Sequence, residues 1–118
     1  MPLVTLTSDF GLSDSYVGQL KGKILSICPD AKLVDISHQI SPGNITEAAI
    51  LLADAIKVFP QDSIHLCVVD PGVGSDRAGL VVETKANGVL VGPDNGLFSY
   101  CSFKKLFRID SDLSLIHI

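Results

Sequence analysis

The sequence contains no tryptophan and a single methionine among its 118 residues, and aromatic side chains make up only 6% of it. It also has no cluster of basic residues: nine Lys and Arg stand against thirteen Asp and Glu, for a net charge of -4. A nucleic-acid surface needs clustered cations to neutralise phosphates, so we expect no nucleic-acid partner. No apolar run is long enough to cross a bilayer, so we expect no membrane partner.

Cysteine is scarce and widely spaced. Cys28, Cys67 and Cys101 form neither a Cys-x-x-Cys pair nor a metal-ligand pattern, and they are typical of reduced thiols in a cytoplasmic protein. Residues 1–8 have no basic segment ahead of an apolar run and read as a strand, so we predict no signal peptide. We therefore expect a cytoplasmic protein without a metal site.

What the sequence does contain is enough apolar material for one globular core. Hydrophobic residues make up 47% of the chain and charged residues 19%, which is typical of a single soluble domain. The last residues, 113–118, are largely apolar, whereas domains commonly end in polar segments. We therefore expect residues 1–118 to be an incomplete piece of a longer protein.

Short β-type segments alternate with two helical patterns. Apolar residues recur at three- and four-residue steps within 17–27, a helix that Ser13 or Asp14 can cap. Asn44, with Glu47 three residues later, predicts the start of a second helix. This order predicts an α/β fold with a mostly parallel sheet and helices on both faces, a Rossmann-like three-layer arrangement. Strands are predicted at 4–8, 32–36, 64–69, 80–83, 89–91 and 106–109.

Loops rich in Gly, Asp and Asn follow three of the predicted strands. Ligands of parallel sheets bind beyond the carboxyl ends of the strands, so these loops are the candidate site. Asp9 could accept hydrogen bonds from both hydroxyls of a ribose, or it could simply form a turn. Asp70 and Arg77 are close enough to meet across a glycine-rich loop. They could act on a ligand, or they could form an ion pair that stabilises the loop.

Several familiar motifs are missing from these loops. There is no GxxxxGK[ST] segment and no GxGxxG after the first strand, which argues against ATP and NAD sites. His38 follows the second strand and could line the cleft, whereas His65 lies inside a strand and is expected to be structural. No Ser-His-Asp set and no metal cluster are predicted.

Five short motifs occur in order over most of residues 3–100, and their order and spacing together are more specific than any one of them. They are TLTSDFG at 5–11, DSYVG at 14–18, VDISH at 34–38, VDPGVG at 69–74 with Arg77 beyond it, and GPDNGL at 92–97. Together they resemble the S-adenosylmethionine hydroxide adenosyltransferases, the hydrolase relatives of the fluorinase and the chlorinase. The resemblance implies hydrolysis of S-adenosylmethionine to adenosine and L-methionine, by attack of water or hydroxide at the ribose C5′, with no cofactor.

The resemblance also implies roles for individual residues. Asp70 and Arg77 match the first two members of a catalytic Asp-Arg-His set, whose His belongs to a later motif that His117 does not match. A guanidinium beside Asp70 would make that carboxylate a weaker base, so we expect it to orient the water rather than deprotonate it. The residues expected to bind substrate are Asp9 at the ribose diol, Asp14 at the methionine ammonium, Tyr16 and Asn95.

The family resemblance implies a larger assembly than this chain. Its members have two domains and form trimers, with the ligand between the N-terminal domain of one subunit and the β-rich C-terminal domain of its neighbour. Residues 1–118 would then be an incomplete N-terminal α/β domain, with the C-terminal domain absent from this chain. We expect such a piece to fold poorly alone and to be inactive.

Two alternative functions remain open. A halogenase would use chloride or fluoride as the nucleophile, but a carboxylate at Asp70 would repel a halide, and the resemblance implies that halogenases replace this residue. A non-catalytic nucleotide-binding module of the receiver type would need a second acidic residue beside Asp9, and none is present.

Overall fold

The computed structural model describes residues 2–71 and 78–109, which form a six-stranded sheet, two α-helices and a short 3-10 helix, Ile56–Val58, directly after the second α-helix. The strands occur in the order β2-β1-β3-β5-β4-β6, in which β2, β1, β3 and β5 are parallel and β4 and β6 run antiparallel to their neighbours. The elements are β1 Leu3–Ser8, α1 Tyr16–Ile27, β2 Lys32–Ser37, α2 Ile45–Ala55, β3 Ile64–Val68, β4 Gly79–Thr84, β5 Val89–Pro93 and β6 Phe103–Ile109.

The two helices cover opposite faces of the sheet. Helix α2 packs on the face that carries Cys67 and Val69, which belong to the main hydrophobic core. Helix α1 lies on the other face, beside Leu66 and Val91. Alternation of side chains along β3 separates these two sets. The predicted α/β class with a mostly parallel sheet is confirmed, while its finer description as Rossmann-like stays a prediction.

The antiparallel pairing of β4 with β5 follows from the short connection between these two strands. Only residues 85–88 separate β4 from β5, and so short a turn cannot carry the chain back to start a parallel strand. Gly88 has a φ of +84°, and its missing Cβ would overlap the carbonyl oxygen of Ser63. The last strand is longer than the predicted 106–109 because it pairs along the whole of β4, with Phe103 opposite Thr84.

The start of helix α2 is confirmed as predicted. Asn44 is the N-cap, and its side-chain oxygen accepts a 3.0 Å hydrogen bond from the amide of Glu47. This bond satisfies one of the amides that have no partner inside the helix. Ala48, Ala49 and Leu52 lie on the buried face.

The start of helix α1 differs from the prediction. The N-cap is Ser15, whose side chain makes no capping bond, and the carboxylate of Asp14 accepts from the amide of Ser15 instead. Only Val17 of this helix is buried, and Ile27 is 75% exposed. The weak packing leaves an apolar groove between α1 and the sheet, lined by Val4, Ile24, Ile27, Cys28, Ile64, Leu66 and Val91.

His65 is structural, as expected. It is fully buried, its Nδ1 lies 2.7 Å from the Thr5 hydroxyl, and its Nε2 lies 3.0 Å from the carbonyl oxygen of Asn87. The carbonyl can only accept, so Nε2 carries a proton and Nδ1 accepts from Thr5. Burial lowers the pKa of His65, and the bond to Asn87 only partly opposes this.

We expect His65 to make the protein less stable in mild acid. The unfolded chain takes up a proton near pH 6.5, before the folded protein does, so the free energy of unfolding falls as the pH drops below that value. His65→Asn cannot titrate, and it keeps an acceptor for Thr5. Urea unfolding followed by circular dichroism should give a shallower pH dependence for this variant than for the wild type. Equal dependence would show that His65 does not contribute.

Candidate active site

The carboxyl ends of the four parallel strands lie along one edge of the sheet. From β1 the chain continues to β2 on one side, whereas β3 lies on the other, so the direction of winding reverses between β1 and β3. Such a reversal opens a crevice in which α/β proteins bind ligands. Ser8 pairs with Val68 across these strands, and Asp9 and Asp70 follow within two residues of that pair. The two carboxylate residues therefore flank the reversal, as the sequence predicts.

Asp9 is held in place by the loop that precedes α2. Its Oδ2 accepts a 2.7 Å hydrogen bond from the amide of Gly43. Gly43 has a φ of +72°, a conformation that favours glycine, and a Cβ at this position would lie 3.4 Å from Cβ of Pro71. Loops that follow β1, β2 and β3 thus meet at one point. A carboxylate can accept several bonds, so Asp9 keeps acceptor capacity for a ligand.

Of the predicted pair of Asp70 and Arg77, the structure describes only Asp70. Asp70 is partly buried at the end of β3. Arg77 lies outside the described residues, as does His117. The pairing of Asp70 with Arg77 therefore stays a prediction.

Asn95 joins two neighbouring strand ends. Its Nδ2 donates to the carbonyl oxygen of Val69 at 3.0 Å, and its Oδ1 accepts from the amide of Leu97 at 3.3 Å. These bonds tie the loop after β5 to the end of β3. Asn95 thus has a structural role. Its Nδ2 carries a second proton that could also contact a ligand, and the predicted contact with substrate stays a prediction.

Asp14 and Tyr16 lie at the outer rim of the edge, where α1 begins. Asp14 is exposed and accepts from the amide of Ser15 at 2.6 Å. Tyr16 is 56% exposed, and its ring lies 6.1 Å from the ring of Phe10, which follows Asp9. Both side chains are exposed to solvent, and their predicted roles in substrate binding stay predictions.

The structure shows a chain of polar contacts that the sequence does not predict. Ser8 Oγ lies 2.6 Å from Nδ1 of His38, and Nε2 of His38 lies 2.8 Å from Oδ1 of Asp35. Asp35 Oδ2 accepts in turn from Nζ of Lys21 at 2.8 Å. The expectation that no Ser-His-Asp set exists is therefore wrong as a statement about contacts.

These contacts do not have the geometry of a nucleophilic triad. Ser8 is fully buried, its hydroxyl also accepts from the amide of Phe10 at 3.2 Å, and the serine bonds to Nδ1 rather than to Nε2. His38 itself is 3% exposed, so it does not line the cleft. Ser8 and His38 form a buried support for the loop that carries Asp9.

At the other end of these contacts, Asp35 forms an ion pair with Lys21. Partial burial alone would raise the pKa of Asp35, but hydrogen bonds from Lys21 and His38 outweigh it and hold the pKa below its ordinary value. Asp35 is thus a carboxylate at neutral pH. An ionised carboxylate only accepts, so Nε2 of His38 is the donor in the contact with Asp35.

Cys67 lies in the core beneath the same edge. Burial, with contributions from the nearby Asp9 and Cys101, raises the pKa of its thiol to about 12. A thiol that stays protonated is a poor nucleophile, so Cys67 takes no part in the chemistry. The three cysteines are free thiols, as predicted.

Two broader properties concern the described part of the chain. Across residues 2–71 and 78–109, neither helix is long and apolar enough to cross a membrane. The same residues include no group of three or more His, Cys, Asp and Glu side chains arranged to hold a metal ion.

The sheet and its edge define an α/β protein with a carboxylate-bearing site at a reversal of winding. Residues 4–115 match the S-adenosylmethionine hydroxide adenosyltransferase N-terminal domain. The chain belongs to this family.

Individual relatives agree with this assignment. The chain is 48% identical over 95% of its length to the (R)-S-adenosyl-L-methionine hydrolase of Methanocaldococcus jannaschii, and 35% identical over 70% of its length to the fluorinase of Nocardia brasiliensis. It covers 45% and 27% of these proteins, respectively. The chain therefore spans less than half the length of these curated relatives.

Two solved structures share the fold. An uncharacterised conserved protein from Thermotoga maritima superimposes with a TM-score of 0.85 at 36% identity, over 92% of this chain and 43% of that one. A conserved hypothetical protein from Thermus thermophilus gives a TM-score of 0.85 at 33% identity, over 99% of this chain and 51% of that one.

We expect Asp9 to matter for stability as well as for binding. Asp9→Ala removes the acceptor of the Gly43 amide and should lower the free energy of unfolding by roughly 1–3 kcal/mol. Asp9→Asn keeps an acceptor for this amide, so it should lower the free energy of unfolding by a smaller amount. Asp14→Ala is the matched control, because that carboxylate is exposed and accepts from the adjacent amide of Ser15. Urea unfolding followed by circular dichroism tests this, and equal losses for Asp9→Ala and Asp14→Ala would contradict it.

Proposed function

We propose that this chain supplies the N-terminal half of a site that hydrolyses S-adenosylmethionine to adenosine and L-methionine. The observation that carries the proposal is the Asp9 carboxylate, fixed by Gly43 at the reversal of winding and flanked by Asp70. Membership of the family supports it. So do the names of relatives in Methanocaldococcus jannaschii and Salinispora arenicola, both (R)-S-adenosyl-L-methionine hydrolases.

Asp9 fits the ribose of this substrate. A carboxylate can accept from both hydroxyls of a vicinal diol, and the bond from Gly43 already holds one of its oxygens, Oδ2. Asp14, exposed just before α1, would pair with the methionine ammonium. Tyr16 offers an exposed aromatic surface beside Phe10, and Asn95 has one amide proton left for a ligand.

The reaction itself is a displacement at the ribose C5′. A C–O bond forms as the C–S bond breaks, and methionine leaves as a neutral thioether from a sulfonium, so the leaving group needs no proton. The demanding part is the nucleophile, because water is weak and hydroxide is scarce. Asp70, paired with Arg77, would orient the water behind C5′, and the site would exclude bulk solvent. The attacking water loses one proton to solvent, and no cofactor is required.

The same proposal extends to assembly. Family membership supports a homotrimer of a longer, cytoplasmic protein, in which a β-rich domain of a neighbouring subunit closes the site. Leu12 and Tyr16 are 64% and 56% exposed at the rim of the crevice, and a neighbour seated there would cover them. A site completed between subunits also explains why this chain alone is proposed to be inactive.

A halogenase is the second candidate. The observation in its favour is the 35% sequence identity between this chain and the fluorinase of Nocardia brasiliensis. Asp70 opposes it, because a carboxylate at the point of attack repels a halide and not a water molecule.

We expect the complete protein that contains this chain to convert S-adenosylmethionine to equal amounts of adenosine and methionine. Chromatography of the products should give this result in the presence of a chelator and with chloride or fluoride added. A halogenated adenosine as the main product would identify a halogenase. No turnover would contradict the proposal.

We expect Asp9 and Asp70 to separate in steady-state kinetics. Asp9→Asn keeps the Gly43 bond but weakens the grip on the ribose, so KM should rise roughly ten- to a hundredfold. Asp70→Asn should mainly lower kcat, because Asp70 acts on the attacking water. Asp94→Asn, at an exposed carboxylate in the loop after β5, is the control and should change neither constant by more than about twofold. Identical effects of Asp9→Asn and Asp70→Asn would refute the division of roles.

A further inference from the structure

His38 contacts the loop that carries Asp9 in two ways. Its Nδ1 bonds to the hydroxyl of Ser8, the residue before Asp9. Its backbone carbonyl accepts a 2.8 Å hydrogen bond from the amide of Gly11, two residues after Asp9. The two contacts bracket Asp9 from either side. Any movement of His38 is therefore transmitted to the backbone on which the carboxylate stands.

The direction of each hydrogen bond follows from the partners. The Asp35 carboxylate only accepts, so Nε2 of His38 carries a proton. Nδ1 then accepts from the Ser8 hydroxyl, which itself accepts from the amide of Phe10. A doubly protonated ring would donate from both nitrogens, and the buried hydroxyl proton of Ser8 would lose its present acceptor. The arrangement thus selects one tautomer and one rotamer of His38.

An irregularity in the sheet creates this contact. Leu6 of β1 pairs with Asp35, but the next residue, Thr7, pairs with Ser37, so one residue of β2 is skipped. Continuing this register places Ser8 beside His38. Without the skipped residue Ser8 would lie beside Ser37, and a bulge of this kind is a common way to redirect a side chain near a site.

We infer that His38 is a positioning residue for Asp9, acting through the Ser8 hydroxyl and anchored by Asp35 and Lys21. This inference rests on the proposed function for the identity of the ligand. His38 is 3% exposed and Ser8 is fully buried, so neither touches a ligand at the crevice. Their effect on binding is exerted through the orientation of the Asp9 carboxylate.

The chain contains a natural control for this role. His65 is also buried, and its Nδ1 also bonds to a hydroxyl of β1, that of Thr5. Its second nitrogen faces the carbonyl of Asn87 in the turn between β4 and β5, away from the ligand edge. Loss of either histidine removes an acceptor from a buried hydroxyl. Only the loss of His38 should disturb Asp9.

The first test compares substitutions that preserve different ends of the ring. His38→Asn keeps an acceptor near the Nδ1 position, whereas His38→Gln keeps a polar group near Nε2 and loses the contact with Ser8. In the complete protein, His38→Gln should raise KM for S-adenosylmethionine about tenfold with a smaller change in kcat. His38→Asn keeps the contact with Ser8 but loses the anchor to Asp35, so it should raise KM by a clearly smaller factor than His38→Gln. His65→Gln should lower the melting temperature and leave KM unchanged.

A double substitution tests the route through Ser8. Once Ser8→Ala has removed the hydroxyl, adding His38→Gln should raise KM no further. If His38→Gln does not fold, Asp35→Ala loosens the same ring from its half-exposed side and should raise KM by a smaller factor. An unchanged KM in His38→Gln, or in Asp35→Ala where that variant replaces it, would overturn the inference. So would independent effects of Ser8→Ala and His38→Gln.

A readout without ligand separates this inference from the proposed function. The amide proton of Gly43 reports the position of the Asp9 carboxylate, to which it donates. Its nuclear magnetic resonance shift should move in His38→Gln and stay in place in His65→Gln. A wild-type protein without hydrolase activity would defeat the proposed function alone, because the Gly43 shift would still show whether His38 positions Asp9. An unmoved Gly43 amide in His38→Gln would overturn the positioning role.

Discussion

A hydrogen bond of 2.7 Å from the Gly43 amide to the Asp9 carboxylate joins two loops that lead to helices on opposite faces of the sheet. Gly43 can make it because its backbone adopts a left-handed conformation, with a φ of +72°, that favours glycine. The bond orients one carboxylate at the point where the winding of the sheet reverses. The positions proposed for the ribose, the attacking water and the methionine are all defined relative to that carboxylate.

Buried polar side chains of β1 support this edge from below. Thr5 and Ser8 lie inside the protein, where an unpaired hydroxyl would be costly. Thr5 bonds to His65 of β3, and Ser8 bonds to His38, which directly follows β2. The bond of Ser8 to His38 continues to an ionised Asp35 and to Lys21 near the surface. Rigid support of this kind suits the proposed alignment of a water molecule with a carbon atom, since small displacements would slow such a reaction strongly.

Local features of the fold could be predicted from the sequence. The cap formed by Asn44 and Glu47 involves partners within one helical turn, and the strand pattern reflects which side chains are buried. The location of Asp9 and Asp70 at one edge follows because parallel strands end on the same side. Assigning a substrate to that edge required the resemblance to a family, since a carboxylate near glycines suits many ligands.

Features that depend on register could not be predicted in this way. Ser8 and His38 are 30 residues apart, and they meet only because β2 skips one residue against β1. A shift of one residue turns every later side chain to the other face of a strand, and apolar periodicity does not reveal it. The predicted cap of α1 was wrong for a different, local reason. Asp14 bonds to the adjacent amide of Ser15 rather than to an amide further into the helix.

The central claim is that water at this edge attacks the ribose C5′ of S-adenosylmethionine. The most direct measurement is turnover by the complete protein in water labelled with the heavy oxygen isotope, followed by mass spectrometry of both products. We expect one labelled oxygen in the 5′-hydroxyl of adenosine and none in methionine. Unlabelled adenosine, or label in the methionine product, would contradict the claim.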